Sequence, residues 1–320
     1  MKLTLDCVST GPLFSLPHTS GLAYLLSKAH ISYAHLPLEA LVCEQCHLAP
    51  VPDYPIAAIA AAEDGLDVGN AYWLRAHPVH LMLQRDSFSL SEPCPLRVSQ
   101  EHAQSMMLTL NQHFKQDGLN FCLGDSGAWY LSLAQSPQVK TALPAMAMGK
   151  NIAHFMPQGA NASRWVSYLN EVQMLLHGHP ANATREQEGD VVVNSVWLSG
   201  GGAMPAPSKM KVEFDCFAGN DVFYKGLAKH SGVVYQAVST SLQDSISQLS
   251  KQSSVRLQLA YQPLLDDNTF QVLLDGLRTK KISQLVINLA CYEQTLVARI
   301  KPIDLYKFWR KSKPMSVYLA

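Results

Sequence analysis

Charge is scarce in this chain. Only 16% of its 320 residues are charged, and Lys+Arg match Asp+Glu at 25 each. A dedicated nucleic-acid binder carries a basic excess. A disordered acidic regulator is poor in apolar residues, whereas 48% of this chain is apolar. No apolar run approaches the roughly 18 residues needed to cross a bilayer. The opening residues, MKLTLDCVST, lack the apolar stretch of a secretory signal. The seven cysteines, Cys7, Cys43, Cys46, Cys94, Cys122, Cys216 and Cys291, are odd in number and scattered, which is not a disulfide framework. Histidine is absent from Val233 to Ala320. These absences lead to the expectation of a folded, cytoplasmic protein with neither a nucleic-acid nor a membrane partner. At about 100–200 residues per domain, it has room for one large domain or two modest ones.

What is present is patterned. Leu22, Leu25, Leu26 and Ala29 share one helical face, and Ile56 to Glu63 reads as a short helix opened by Pro55 and closed by Gly65. Ala71 to Arg75 and Val79 to Leu83 are strand-like. Ser99 opens a helix with Ala103, Met106, Met107, Leu110 and Phe114 at helical spacing. Leu119 to Leu123 and Ala128 to Leu133 flank Gly124-Asp125-Ser126-Gly127, a hairpin signal. A helix from about Ser163 to Leu176 leads to a polar loop and then to the apolar run Val191 to Leu198, read as a buried strand that exits at Gly200-Gly201-Gly202. In the last third strands and helices alternate: a helix capped by Asp221, strands at Val233 to Val238 and Val255 to Tyr261, helices at Ser241 to Leu249 and Asp266 to Leu277, paired strands at Ile282 to Leu289 and Thr295 to Ile300, and a short helix from Asp304 to Arg310. Such alternation predicts an α/β sheet with helices on its faces.

Few motifs carry chemistry on their own. Cys43-Glu-Gln-Cys46-His47 matches a haem-attachment pattern, but that chemistry needs export, and one cysteine pair falls short of a zinc site. Gly200-Gly201-Gly202 is neither a Walker loop nor a dinucleotide fingerprint, because no lysine follows in place and Pro205 and Pro207 block a following helix. Ser126 lacks the spacing of a nucleophile elbow. The densest polar sets are His177, His179, Asn182, Arg185 and Asn194, and Arg75, His77, His80 and Arg85. Arginine among Asn and His donors suits a phosphate or carboxylate, and it suits loop-ordering hydrogen bonds equally.

The blocks Leu169-Asn170-Glu171, His179-Pro-Ala-Asn182-Ala-Thr-Arg185, Asn194 to Trp197 and the glycine run, in that order, resemble the archaeal-type cofactor-independent phosphoglycerate mutases of the alkaline phosphatase superfamily. Tyr72 to Leu81, Arg85-Asp86, Leu110 to Phe114, Asp117 to Phe121, Trp129 to Leu131 and Phe308 to Arg310 are similar to a bacterial subgroup called RpfE-type regulatory proteins. The resemblance implies an alkaline-phosphatase-like α/β sheet with helices on both faces, formed by residues 1–65 and 191–320. It implies an inserted α+β substrate domain at 66–190. It also implies an anionic-ligand site on His179, Asn182, Arg185 and Asn194, with Arg75, His80 and Arg85 beside it. Superfamily enzymes hold two divalent metals with Asp and His and use a Ser or Thr nucleophile. Here the N-terminal signature is reduced to Asp6 with Ser9 or Thr10, and no histidine cluster follows Val233. The expectation is therefore a mutase-like regulator or sensor without metal or other cofactor. An active mutase or phosphatase using Mn or Mg, and an interaction module for an unknown protein partner, are the alternatives.

Overall fold

The computed structural model describes residues 1–8, 20–85, 87–91, 94–206, 212–238, 242–249, 251–259, 267–291 and 293–319. The chain forms two compact units: Met1–His47 with Met210–Ala320, and Leu48–Lys209 between them. The inserted unit is longer than the expected 66–190 at both ends, because a helix before it and a strand after it pack into its own sheet.

The first unit opens with β1 (Lys2–Cys7), α1 (Gly21–Lys28), β2 (His30–Ala34) and α2 (Leu38–Gln45). Residue patterning does not mark β2 and α2, because the prolines around them mask short elements. Ser20 caps α1 by accepting from the Ala23 amide.

The inserted unit then runs α3 (Ile56–Glu63), β3 (Tyr72–Val79), β4 (Leu81–Leu83), β5 (Phe88–Leu90), α4 (Gln100–His113), β6 (Asn120–Leu123), β7 (Trp129–Leu133), β8 (Val139–Lys140), α5 (Pro144–Ala147), β9 (Gln158–Gly159), α6 (Ala162–His177), α7 (Pro180–Glu188) and β10 (Ser195–Ala203). Its main sheet is antiparallel in the order β10-β3-β7-β6. Leu74, Ala76, Met106, Leu110, Trp129, Trp165 and Leu176 build one core. Every residue of α3 from Ile56 to Ala61 is buried, as an all-apolar helix requires.

Two expectations are corrected in this unit. The polar stretch after His179 is a helix, α7, with Pro180 in its first turn, the His179 ring as its cap and Gly189 at φ 81° ending it. The glycine run does not follow the strand but lies inside β10, toward its C-terminal end, with a register shift between Ser199 and Gly202. A Cβ on Gly202 would lie 2.6 Å from Pro55 Cα, and one on Gly201 would lie 2.6 Å from the Tyr72 hydroxyl. The glycines let Pro55 at the head of α3, and the Tyr72 ring on β3, approach β10 closely.

The chain returns to the first unit with β11 (Cys216–Gly219), α8 (Val222–Ser231), β12 (Val234–Ala237), α9 (Leu242–Leu249), β13 (Ser254–Leu259), α10 (Asp267–Arg278), β14 (Gln284–Cys291), β15 (Gln294–Ile300) and α11 (Ser316–Leu319). The order in the seven-stranded sheet is β12-β11-β13-β1-β14-β15-β2. The strands from β12 to β14 pair in parallel, and β15 and β2 add antiparallel. This is the mixed α/β fold that alternation implied. Leu3, Leu5 and Cys7 of β1 pack with Val255, Leu257, Leu285 and Ile287 against α1, α9 and α10. The opposite face is buried too, as central parallel strands demand. There Tyr224 of α8 and Gln45 of α2 reach the polar side chains of β1 and β13. Asp304 to Arg310, expected as a helix, is a 3₁₀ turn over Pro302–Tyr306 followed by a turn at Phe308 and Trp309.

Candidate functional site

Period-two alternation puts Thr4 and Asp6 on the face of β1 away from Leu3, Leu5 and Cys7. The register sets Asn288 of β14 opposite Asp6, and Arg256 of β13 opposite Thr4, one pleat back on the same face. Asp6 and Arg256 are both fully buried. Arg256 grips the carboxylate as a fork, Nε to Oδ2 at 2.5 Å and Nη2 to Oδ1 at 3.1 Å. The Tyr224 hydroxyl donates to Oδ2 at 2.5 Å, and Asn288 Nδ2 donates to Oδ1 at 2.7 Å. A carboxylate offers about four lone-pair positions, and four donors occupy them. The remaining Arg256 nitrogen donates to Gln45 Oε1 at 2.5 Å, and the guanidinium lies 5.3 Å from the Phe214 ring centre. Burial works against the Arg256 charge, but Asp6, Tyr224 and the direct hydrogen bonds outweigh it and leave its pKa raised. Burial, then the Asp6 charge, pushes the Tyr224 phenol well above its ordinary value.

A divalent metal needs several free oxygen or imidazole ligands. The residues around Asp6 do not fit one: its lone pairs are taken, and its neighbours are a guanidinium, a phenol and an amide. Among the described residues no group of three or more His, Cys, Asp or Glu side chains is placed to hold a metal ion. Ser9 and Thr10, the other N-terminal candidates, lie outside the described residues.

The second candidate set belongs to the inserted unit, where its side chains bond backbone groups near the start of β10. Residues 191–193 precede β10 outside any strand, so their backbone groups need other partners. Arg185 donates through Nε and Nη2 to the Val191 carbonyl at 3.0 and 2.8 Å. The His80 ring bonds the Val192 carbonyl at 3.0 Å. Asn182 donates to the Val193 and Leu176 carbonyls at 2.8 and 2.7 Å and accepts from the Val193 amide at 2.9 Å. Asn194 accepts from the Leu81 amide and donates to the Leu81 carbonyl at 2.7 and 3.0 Å. His179 Nδ1 accepts from the Ala181 amide, so this nitrogen is unprotonated, and Nε2 meets the Thr109 hydroxyl at 3.0 Å. Asn182, Arg185 and His179 are buried. Asn182, Arg185 and His80 thus clamp one extended segment through its backbone groups. Arg75 lies in β3 and is half-buried, and Arg85 is exposed beyond β4. Neither joins the clamp.

The remaining motifs are structural. Cys43 and Cys46 are buried in and after α2, and burial, with opposing influences from Arg256 and Asp6, raises the Cys46 thiol to about 11. Such a thiol is a poor thiolate. Ser126 in the β6–β7 hairpin donates its hydroxyl and amide to the buried Asp64 carboxylate, as does the Tyr130 hydroxyl. A cavity of about 300 Å³ in the inserted unit is lined by Phe88, Ile152, Phe155, Leu169 and Trp197 among others, with Gln173 as one of its polar groups and no charged residue. An anion would find no countercharge in it.

No family model matches this chain. Two curated proteins are similar to parts of it. A probable 2,3-bisphosphoglycerate-independent phosphoglycerate mutase of Geobacter sulfurreducens is 24% identical over 158 residues, 49% of this chain and 40% of that protein. The 2,3-bisphosphoglycerate-independent phosphoglycerate mutase of Methanosarcina barkeri is 27% identical over 110 residues, 34% of this chain and 28% of that protein. The matches therefore span less than half the length of either relative. Among solved structures, the cofactor-independent phosphoglycerate mutase of Thermoplasma acidophilum aligns over 99% of this chain and 94% of its own, at 14% identity and TM-score 0.46. The PH0037 protein of Pyrococcus horikoshii aligns over 94% and 87%, at 12% identity and TM-score 0.49. At low identity and over part of its length, the chain is thus similar to 2,3-bisphosphoglycerate-independent phosphoglycerate mutases.

Proposed function

We propose that this protein is a phosphoglycerate mutase-like scaffold without the two-metal chemistry, acting as a non-catalytic regulator of the kind the RpfE-type resemblance implies. The saturation of Asp6 by Arg256, Tyr224 and Asn288 carries this reading. A phosphoryl-transfer site needs carboxylates free to hold metal ions that neutralise the moving group. Here the best-placed carboxylate is already neutralised by a guanidinium and buried behind it. The reading does not retain the anionic-ligand site on Asn182 and Arg185, since the hydrogen bonds they make are to backbone carbonyls and an amide.

The test is a coupled assay for interconversion of 3- and 2-phosphoglycerate by the full chain with Mn²⁺ or Mg²⁺ added. Turnover at the level of a no-enzyme control is expected. Metal-dependent turnover that Ser9→Ala or Thr10→Ala abolishes would overturn the proposal, because it would mean that a nucleophile is activated despite the closed Asp6 carboxylate.

A further inference from the structure

The neutral whole-chain balance conceals one uneven segment. Between residues 301 and 313 lie Lys301, Lys307, Arg310, Lys311 and Lys313 against a single acid, Asp304. The same stretch holds the densest group of exposed large apolar side chains: Ile303 is 69% exposed, Tyr306 76%, Phe308 86% and Trp309 65%. The four other tryptophans, Trp73, Trp129, Trp165 and Trp197, are buried.

This exposure is built, not frayed. Buried Lys28 donates from its ammonium to the Lys307 and Arg310 carbonyls at 2.8 and 2.9 Å. Arg310 donates to the Ala29 carbonyl at 2.7 Å. Asp304 accepts from the Lys301 amide and pairs with Lys307 at 2.6 Å. Leu305 packs inward against the core of the first unit. In the 3₁₀ turn Pro302–Tyr306, residues three apart eclipse, so Ile303 and Tyr306 share a face. Phe308 and Trp309 stack edge to face with ring centres 5.1 Å apart. The fold thus anchors the backbone of the loop while presenting aromatic and aliphatic side chains, among cations, to solvent.

We propose that this loop is a peripheral docking surface for an anionic lipid bilayer. Trp and Tyr favour the headgroup interface, and interleaved lysines and arginines favour anionic lipid. Aliphatic Ile303 separates this reading from a single-stranded nucleic-acid surface, where bases stack on aromatic faces. The docking is independent of whether the Asp6 site is catalytic.

The full chain is incubated with vesicles of phosphatidylcholine alone, and with vesicles that also contain phosphatidylserine, and sedimented. Binding to the phosphatidylserine vesicles alone is expected, and it weakens as salt shortens the screening length from about 8 Å at physiological strength to about 3 Å at 1 M. Lys311→Ala with Lys313→Ala lowers binding about 25-fold, at about fivefold per lysine, and Phe308→Ala with Trp309→Ala lowers it about tenfold or more. All four side chains are exposed, and circular dichroism confirms that both variants fold. Brominated phosphatidylserine quenches the fluorescence of Trp309, the one exposed tryptophan of five. Equal binding to both vesicle types, no binding to either, no quenching, or full binding by both variants overturns the proposal. Binding to polyuridylate without binding to phosphatidylserine also overturns it and makes the loop a nucleic-acid surface.

Discussion

Replacing Arg256 with methionine isolates the interaction that closes the Asp6 carboxylate. Methionine fills much of the space, while the fork to Asp6, the bond to Gln45 and the cation–π contact with Phe214 disappear. Asp6 keeps its bonds from Tyr224 and Asn288 but becomes a fully buried charge without a counterion. Breaking a buried pair from one side costs roughly 3–5 kcal/mol. At about 2–4 °C per kcal/mol for a unit of this size, the first unit should melt roughly 6–20 °C lower. Asp6→Asn should cost a similar amount, since it strands the guanidinium instead. The decisive measurement is the double variant. With Asn at position 6, removing Arg256 relieves a stranded charge, so Arg256→Met should be neutral or stabilising in that background. Urea denaturation of the four proteins, monitored by circular dichroism, gives the cycle. Additive losses, or a loss below about 1 kcal/mol for Arg256→Met, would refute the argument that the pair is what neutralises Asp6.

Three further outcomes follow from the inserted unit. Asn182→Ala removes partners from the Leu176 and Val193 carbonyls and the Val193 amide, and should cost roughly 3 kcal/mol in urea denaturation; a cost near zero would mean the clamp does not order residues 191–194. Gly202→Ala sets a Cβ against Pro55 backbone and should cost more than Gly201→Ala, whose clash includes the Tyr72 hydroxyl, a side-chain end that can shift; overpacking of this kind costs roughly 1–3 kcal/mol, and thermal melts showing the reverse order would count against it. Burial, then the Arg75 charge, lowers His77 from 6.5 to about 3, and burial lowers His179. Both histidines fold with a depressed pKa, so the unfolded chain binds more protons below pH 6.5 and stability falls as pH falls. His77 alone should cost roughly 2 kcal/mol between pH 7 and pH 5, and denaturation midpoints of His77→Gln should show a flatter slope.

Long, strongly patterned elements were legible in the sequence. The apolar spacing of Ala103, Met106, Met107 and Leu110, the glycine-bearing loop between Leu123 and Trp129, and Asp221 ahead of Val222 each appear where local chemistry puts them. The elements β2 and α2 were not legible, because they are short and set among prolines. The helix after His179 hid for a different reason: its Pro, Asn, Thr and Arg residues read as loop until the cap and the inward-facing Asn182 and Arg185 are seen. The candidate site was ambiguous in the same way. Arg, Asn and His together suit an anion or a set of carbonyls, and spacing does not distinguish the two.

By itself the sequence determined the class of architecture, since strand-helix alternation in an apolar, sparsely charged chain leaves few folds other than an α/β sheet. It also showed how little was available for metal chemistry in the C-terminal half of that sheet, where histidine is absent after His230. Only the tertiary structure decided what Asp6 does. Arg256 is far away in the chain and carries no motif; parallel pairing of β1 with β13 brings the two onto one buried face. There a carboxylate and a guanidinium must neutralise each other, because both are fully buried and an unpaired charge is too costly to bury. Similarly, the balance of 25 against 25 was visible at once, whereas the exposed basic and aromatic loop emerged only when Lys28 and Arg310 were seen fastening its backbone to the first unit.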